Sequence, residues 1–162
     1  MISPSPTRAD LRIEPMQIEQ IDTVADLDAQ VSASRWTPQM FLSELLAHPP
    51  PSPSSFVAWH RDEVVGYLIF RILVDELHFM NLGVRPDWQR RGLGTALVYF
   101  ALQIGRQRGV SKSTLEVRAS NVYGQKLYQK FGFKMVGRRL NYYAAPKEDA
   151  LLFSYSGNRG TG

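Results

Sequence analysis

The chain has no cysteine among its 162 residues. That excludes disulfides, thiol nucleophiles and zinc sites of the cysteine type. The only histidines, His48, His60 and His78, lie too far apart for ligand spacing, and no metal is expected. No run approaches the roughly 18 apolar residues of a membrane span. The N-terminus is acidic and proline-containing, unlike a signal peptide. A cytoplasmic protein without membrane contact is therefore expected. The third glycine of G-x-G-x-x-G is missing, because Leu97 stands in its place, and there is no P-loop Lys-Ser/Thr pair. Neither common nucleotide-binding motif fits. Acidic residues are scarce in one half only. Residues 1–80 hold five Arg/Lys against eleven Asp/Glu, whereas residues 81–162 hold fourteen against four. Such polarity suits a basic half facing a polyanion and an acidic half facing a cationic partner. The arginines sit singly between apolar positions rather than in a dense stripe with exposed aromatics, so direct nucleic-acid binding is not expected.

What is present is enough for one core: 44% of the residues are hydrophobic. A single domain over residues 11–156 is expected, with flexible tails over 1–10, which carry Ser-Pro-Ser-Pro, and over 157–162. Leu11 to Met16 alternates like a strand. Ile18, Ile21, Val24 and Leu27 recur at helical spacing, with acids on the outer face. Thr37 caps a second helix with Pro38 at its first position and Phe41, Leu42, Leu45 and Leu46 inside. Phe56 to His60, Val64 to Val74 and Glu76 to Val84 read as strands with short connections, favouring an antiparallel meander. A helix follows with Leu93, Ala96, Leu97, Phe100, Ala101 and Ile104 on one stripe, and Gly109 closes it. Ser113 to Arg118 reads as a strand and Asn121 to Phe131 as a helix. Phe133 to Leu140 and Ala150 to Tyr155 form a last hairpin, with Tyr142 and Tyr143 in its connection. The order β-α-α-β-β-β-α-β-α-β-β predicts an α+β fold, a mixed and mostly antiparallel central sheet flanked by helices.

Within that order, Gln89-Arg90-Arg91-Gly92-Leu93-Gly94 joins a strand end to a helix start. Glycines let backbone N–H groups approach a ligand closely, and a helix N-terminus carries about half a positive charge. Arg90 and Arg91 add mobile cations. The expected guest is a pyrophosphate.

The element order and this turn resemble the GNAT superfamily of acetyl-CoA-dependent N-acetyltransferases, from about Leu11 to Tyr155. Asn81-Leu82-Gly83-Val84 with the glycine turn, Leu115-Glu116-Val117-Arg118-Ala119-Ser120-Asn121, Leu127-Tyr128, Phe131-Gly132-Phe133 and Asn141-Tyr142-Tyr143 resemble its RimI branch. That branch acetylates the N-terminal alanine of a small-subunit ribosomal protein. The resemblance implies acetyl-CoA as co-substrate, held by backbone groups from Arg90 through Thr95 (Arg90, Arg91, Gly92, Leu93, Gly94, Thr95) and from Leu82, Gly83 and Val84. It implies a protein N-terminus as partner, general-base work for Glu116 and general-acid work for Tyr128.

Glu116 alternates with apolar Leu115 and Val117 and is costly there unless paired or used. A salt bridge to an arginine is the alternative to a base. Asn121 and Tyr128 are seven residues apart, so they share a helix face about 10 Å apart. Asn121 suits a cap and also a hydrogen bond to pantetheine amides. Tyr128 suits either packing or proton donation. A phenol near pKa 10 against a thiol near 8–9 makes that transfer close to balanced. Trp36, Tyr142 and Tyr143 are candidate walls of a peptide slot. The same fold acting on lysine or a small amine, and a non-catalytic module that binds acetyl-CoA or nucleic acid, are the alternatives.

Overall fold

The computed structural model describes residues 10–157, so the tails expected over 1–10 and 157–162 lie, apart from Asp10 and Gly157, outside the described residues. The elements run β1 (Leu11–Pro15), a 3-10 turn (Ile18–Gln20), α1 (Ile21–Val31), α2 (Pro38–Ala47), β2 (Ser55–His60), β3 (Glu63–Leu73) and β4 (Glu76–Val84). A second 3-10 turn (Pro86–Trp88) leads to α3 (Leu93–Gln107), β5 (Lys112–Arg118), α4 (Val122–Gln129), β6 (Lys134–Ala144) and β7 (Lys147–Ser156). The order agrees with the sequence expectation. The strands make a seven-stranded sheet in the order β1-β2-β3-β4-β5-β7-β6. Pairing is antiparallel for β1–β2, β2–β3, β5–β7 and β6–β7, and parallel for β4–β5.

Two compact units divide the chain. The first reaches to Ile69 and takes in Asn81–Leu93; the second comprises Phe70–Met80 and the residues from Gly94 on. In the first, α1 buries Ile21, Val24, Ala25 and Leu27, and α2 buries Phe41, which meets Tyr67 of β3 with ring centres 5.9 Å apart. The cap of α2 forms as its residues dictate, with the Thr37 side chain accepting from the Met40 N–H at 3.2 Å and Pro38 following.

Four side chains depart from the helical stripes expected. Ile18 is 59% exposed because it belongs to the 3-10 turn and not to α1. Leu46 is 62% exposed, while Glu44, which the apolar pattern left outside, is only 6% exposed. Asp28 is fully buried, although acids were expected on the outer face of α1.

In the second unit, the inward face of β4 and β5 is set by alternation. Leu77, Phe79, Leu115 and Val117 are buried. Leu77 lies against Gly105 of α3, and Phe79 stacks on Tyr128 of α4 with ring centres 5.4 Å apart. The ladder between β4 and β5 is short, with Glu76, Leu77 and His78 opposite Lys112, Ser113 and Thr114. At the end of the sheet, β6 is almost entirely solvent-exposed and pairs only with β7. The last hairpin is longer than expected. Tyr142 and Tyr143 lie on β6 itself, with Tyr143 opposite Glu148, and not in the connection. An irregularity between Arg139 and Tyr143, where Asn141 has φ +53°, carries the strand past the point at which its alternation breaks.

Candidate active site

The turn between β4 and α3 combines two residues in the left-handed region, Arg90 (φ +63°) and Gly92 (φ +83°). Backbone bent this way turns successive N–H groups toward one side, an anion-binding shape. A Cβ built on Gly92 would meet nothing within 4 Å, so conformation demands glycine there and the space beside it is open. Gly94 answers a different demand. A Cβ on it would come 3.3 Å from Leu127 of α4, so it keeps the first turn of α3 close to that helix. Leu93 is buried and Thr95 half-buried. Arg90 is exposed, and the exposed Arg91 places its guanidinium over the Trp88 ring at 5.3 Å. The turn fits a pyrophosphate through main chain first and arginine second.

Along the preceding strand, Leu82 is half-buried and Val84 buried, and the Val84 carbonyl accepts from the Gln89 side chain at 3.1 Å. Gly83 is where the ring of Tyr67 lies, and any Cβ would overlap that ring. The Tyr67 hydroxyl donates to Asp28 Oδ1 at 2.5 Å, and Asn81 Nδ2 donates to the same oxygen at 2.9 Å. Asp28 Oδ2 accepts from the Trp36 backbone N–H at 2.8 Å. Burial and the adjacent carboxylate push the Tyr67 phenol far above its ordinary range. Trp36 itself packs on Phe41 (5.2 Å), which meets Tyr67 edge-on (5.9 Å). The expected slot residue Trp36 is thus tied to a buried carboxylate that sequence reading passed over. The signal was there: Val24, Leu27, Asp28 and Val31 fall at one helical spacing, so Asp28 sits on the apolar stripe.

In the second unit, Glu116 points to the face opposite Tyr128. Its Oε2 lies 2.8 Å from His78 Nε2, and the hydrogen bond from His78 holds its carboxyl below the ordinary range, with the positive charge of Arg139 adding to the effect. The expected rival was a salt bridge to an arginine; the partner is a histidine. Tyr128 is buried between Phe79 and Phe133 (5.4 and 5.5 Å), and burial raises its phenol. Asn121 is exposed and caps α4, its Oδ1 accepting from the Gly124 N–H at 2.8 Å. The capping expected of it is present.

Arg118, unassigned from sequence, is the clamp of the β6–β7 tip. It donates to the Pro146 carbonyl (2.9 Å), pairs with Glu148 (3.3 Å) and lies 4.1 Å over the Tyr143 ring. Glu148 also accepts from the Ser120 N–H at 2.5 Å. Burial pushes the Tyr143 phenol up to about 12. Tyr142 stacks edge-on to Tyr143 at 5.1 Å and stays half-exposed, with Arg139 over it. Among the described residues no group of three or more His, Cys, Asp or Glu is placed to hold a metal, and no helix is long and apolar enough to cross a membrane.

Comparison with known proteins decides the family, since the family model for Acetyltransferase (GNAT) matches residues 18–133. The chain belongs to the GNAT acetyltransferase family. GNAT enzymes use acetyl-CoA as co-substrate, and the open turn at Gly92 is compatible with its pyrophosphate. A Bacillus subtilis (strain 168) protein, named provisionally for alanine N-acetylation of ribosomal protein bS18, is 33% identical over 138 residues, covering 85% of this chain and 89% of its own. The [ribosomal protein bS18]-alanine N-acetyltransferase of Escherichia coli (strain K12) is 35% identical over 102 residues, covering 62% and 69%. The crystal structure of the ribosomal-protein-S18-alanine N-acetyltransferase from Escherichia coli superposes with a TM-score of 0.80 at 27% identity, covering 94% of this chain and 97% of the other. The mixed sheet and its helix order are those of the GNAT fold.

Proposed function

We propose that this GNAT enzyme acetylates the α-amine of the N-terminal alanine of ribosomal protein bS18, in the cytoplasm, by direct attack in a ternary complex. The chemistry is carried by one observation: a carboxylate and a buried phenol, Glu116 and Tyr128, stand on opposite faces of the same pair of strands. An amine approaching from the Glu116 face and a thiolate leaving on the Tyr128 face need those two groups in that arrangement. The choice of alanine on bS18 rests on similarity to enzymes named for it.

An α-ammonium group has a reference pKa near 8, so its proton is released cheaply at neutral pH, and Glu116 takes it directly or through a water. The neutral amine then attacks the thioester, which supplies the acetyl group. With no cysteine in the chain, no cysteinyl intermediate forms. Backbone N–H groups around Gly92 hold the diphosphate, those of Leu82 to Val84 align the pantetheine arm, and the exposed amide of Asn121 adds a hydrogen bond. Burial shifts Tyr128 away from the balance expected of a free phenol and thiol. Its hydroxyl therefore acts chiefly as a hydrogen-bond donor to the developing thiolate, which takes up the proton that the attacking nitrogen loses as the amide forms. Tyr142 and Tyr143 line the peptide.

Peptides beginning with Ala, Ser or Met, and an N-blocked peptide carrying lysine, test the reading with acetyl-CoA and mass spectrometry. Acetylation of the Ala peptide on its α-amine is expected. Modification of the lysine peptide with none on Ala would overturn it.

A further inference from the structure

Arg118 ends β5 two residues beyond Glu116, so alternation puts both side chains on the face of that strand away from Leu115 and Val117. It is a buried cation, only 8% exposed. Its Nη1 donates to the Pro146 carbonyl at 2.9 Å and to Glu148 Oε1 at 3.3 Å, and its Nη2 donates to the Ala145 carbonyl at 3.4 Å. The ring of Tyr143 lies against the flat face of the same guanidinium at 4.1 Å. Acceptors around the edge and a ring on the face fix the plane of the group. A lysine ammonium, a point donor without a face, cannot hold both.

The tip that Arg118 grips has little else to order it. From Lys134 to Lys147 every residue is exposed except Gly137 and Tyr143, so no apolar side chains pack the tip together. Its remaining ties run to the same bend after β5: Glu148 Oε2 accepts from the Ser120 N–H at 2.5 Å, and the Ala119 N–H donates to the Asp149 carbonyl at 3.1 Å. Tyr143 owes its partial burial to the cation beneath it. Because that cation shares a strand face with Glu116, Tyr143 is brought to the face where the carboxylate stands, and the two are in electrostatic reach of each other.

We propose that Arg118 is a positioning residue for the peptide substrate: by fixing Tyr143 on the Glu116 face of β5, it sets where the first residues of the acceptor chain lie when their amine meets the carboxylate. The proposal rests on the function proposed above. Arg118 acts through Tyr143, since its guanidinium is stacked on that ring and turned to the tip carbonyls. The consequence is a role in peptide affinity, separate from the hold on acetyl-CoA and from proton transfer.

Steady-state assays with acetyl-CoA and the Ala peptide test the assignment. Arg118→Lys keeps the charge but loses the planar fork. It should raise the peptide KM roughly tenfold, with kcat falling no more than about twofold and acetyl-CoA affinity constant by calorimetry. Tyr143→Leu should raise the peptide KM to a similar degree, and adding Arg118→Lys to it should change little further, because the two act as one unit. A merely supporting role for Arg118 would instead lower the melting temperature and leave the peptide KM where it was. That result, or a full second increase in the double variant, would overturn the proposal. Tyr143 lies at the exposed tip, so Tyr143→Leu decides the matter should Arg118→Lys fail to fold: an unchanged peptide KM in it is equally fatal. If the wild type leaves the Ala peptide untouched, the function proposed above fails by itself. Arg118 is then judged by the same variants on whichever peptide of the panel is modified, and a panel neither modified nor bound in the presence of coenzyme A overturns both.

Discussion

The Tyr128 side chain is held by rings: Phe79 and Phe133 flank it, and burial accounts for its raised phenol. Tyr128→Phe keeps those contacts and removes the hydroxyl alone. Turnover should fall roughly 10²-fold while acetyl-CoA affinity stays constant, because the lost interaction belongs to the departing thiolate. Steady-state kinetics beside calorimetric titration of acetyl-CoA separate the two, and unchanged turnover removes Tyr128 from the chemistry. Glu116 is the reverse case, defined by a polar partner. His78→Leu takes away the largest cause of its lowered carboxyl, a hydrogen bond that leucine cannot donate, so the Glu116 titration should move up toward ordinary glutamate values, readable by ¹³C NMR of the carboxyl carbon. Asp28 anchors by accepting from Tyr67, Asn81 and Trp36 at once. Asp28→Ala leaves the buried Tyr67 hydroxyl and two part-buried N–H donors without that acceptor and should cost about 3 kcal/mol, seen as a lower urea midpoint.

At the scale of elements, the turn from β4 to α3 shows two glycines close in sequence with different duties. Gly92→Ala places a side chain at φ +83° in open space, so about 1 kcal/mol of strain is expected together with weaker acetyl-CoA binding as the N–H groups reorient. Gly94→Ala presses on Leu127 instead, and should lower thermal stability while leaving affinity nearer wild type. Calorimetry and melting curves on both variants check the division; equal losses of affinity would refute it. This turn was legible in the sequence because glycine, charge and helix start are all local signals. The cap of α2 was legible for the same reason. The β6–β7 hairpin was not. As the outermost strand, β6 exposes both faces, so no alternation marks its length, and Tyr142 and Tyr143 passed for loop residues. His78 was missed for a different cause: its meaning lies in Glu116 and Thr114, which only strand pairing brings beside it. A sequence shows which face a residue takes but not which strand it meets.

For the whole molecule, the lowered carboxylates set the response to acid. Glu116, Asp87, Glu148 and Asp149 all lie below their ordinary values, through His78, Arg85, Ser120 and Asn141 respectively as first cause. A carboxyl with a depressed folded-state value binds its proton more readily once unfolded, so its contribution is fully present above the unfolded value and disappears as pH falls through the folded one. With unfolded carboxyls titrating near pH 4, stability should hold level from pH 7 to about 5 and then decline as pH drops below about 4. Two of the four tie the β6–β7 hairpin: Glu148 to Ser120 and Arg118, and Asp149 to Asn141 and Arg138. Acid should therefore loosen that hairpin before the buried centre of β2 and β3, which holds none of these four carboxylates. Hydrogen exchange at pH 4 against pH 7 reads this directly. Faster exchange is expected first at residues 134–149, while amides of Val57, Val65 and Leu68 remain protected, and simultaneous loss of protection in both regions would show that these carboxylates do not govern the order of opening.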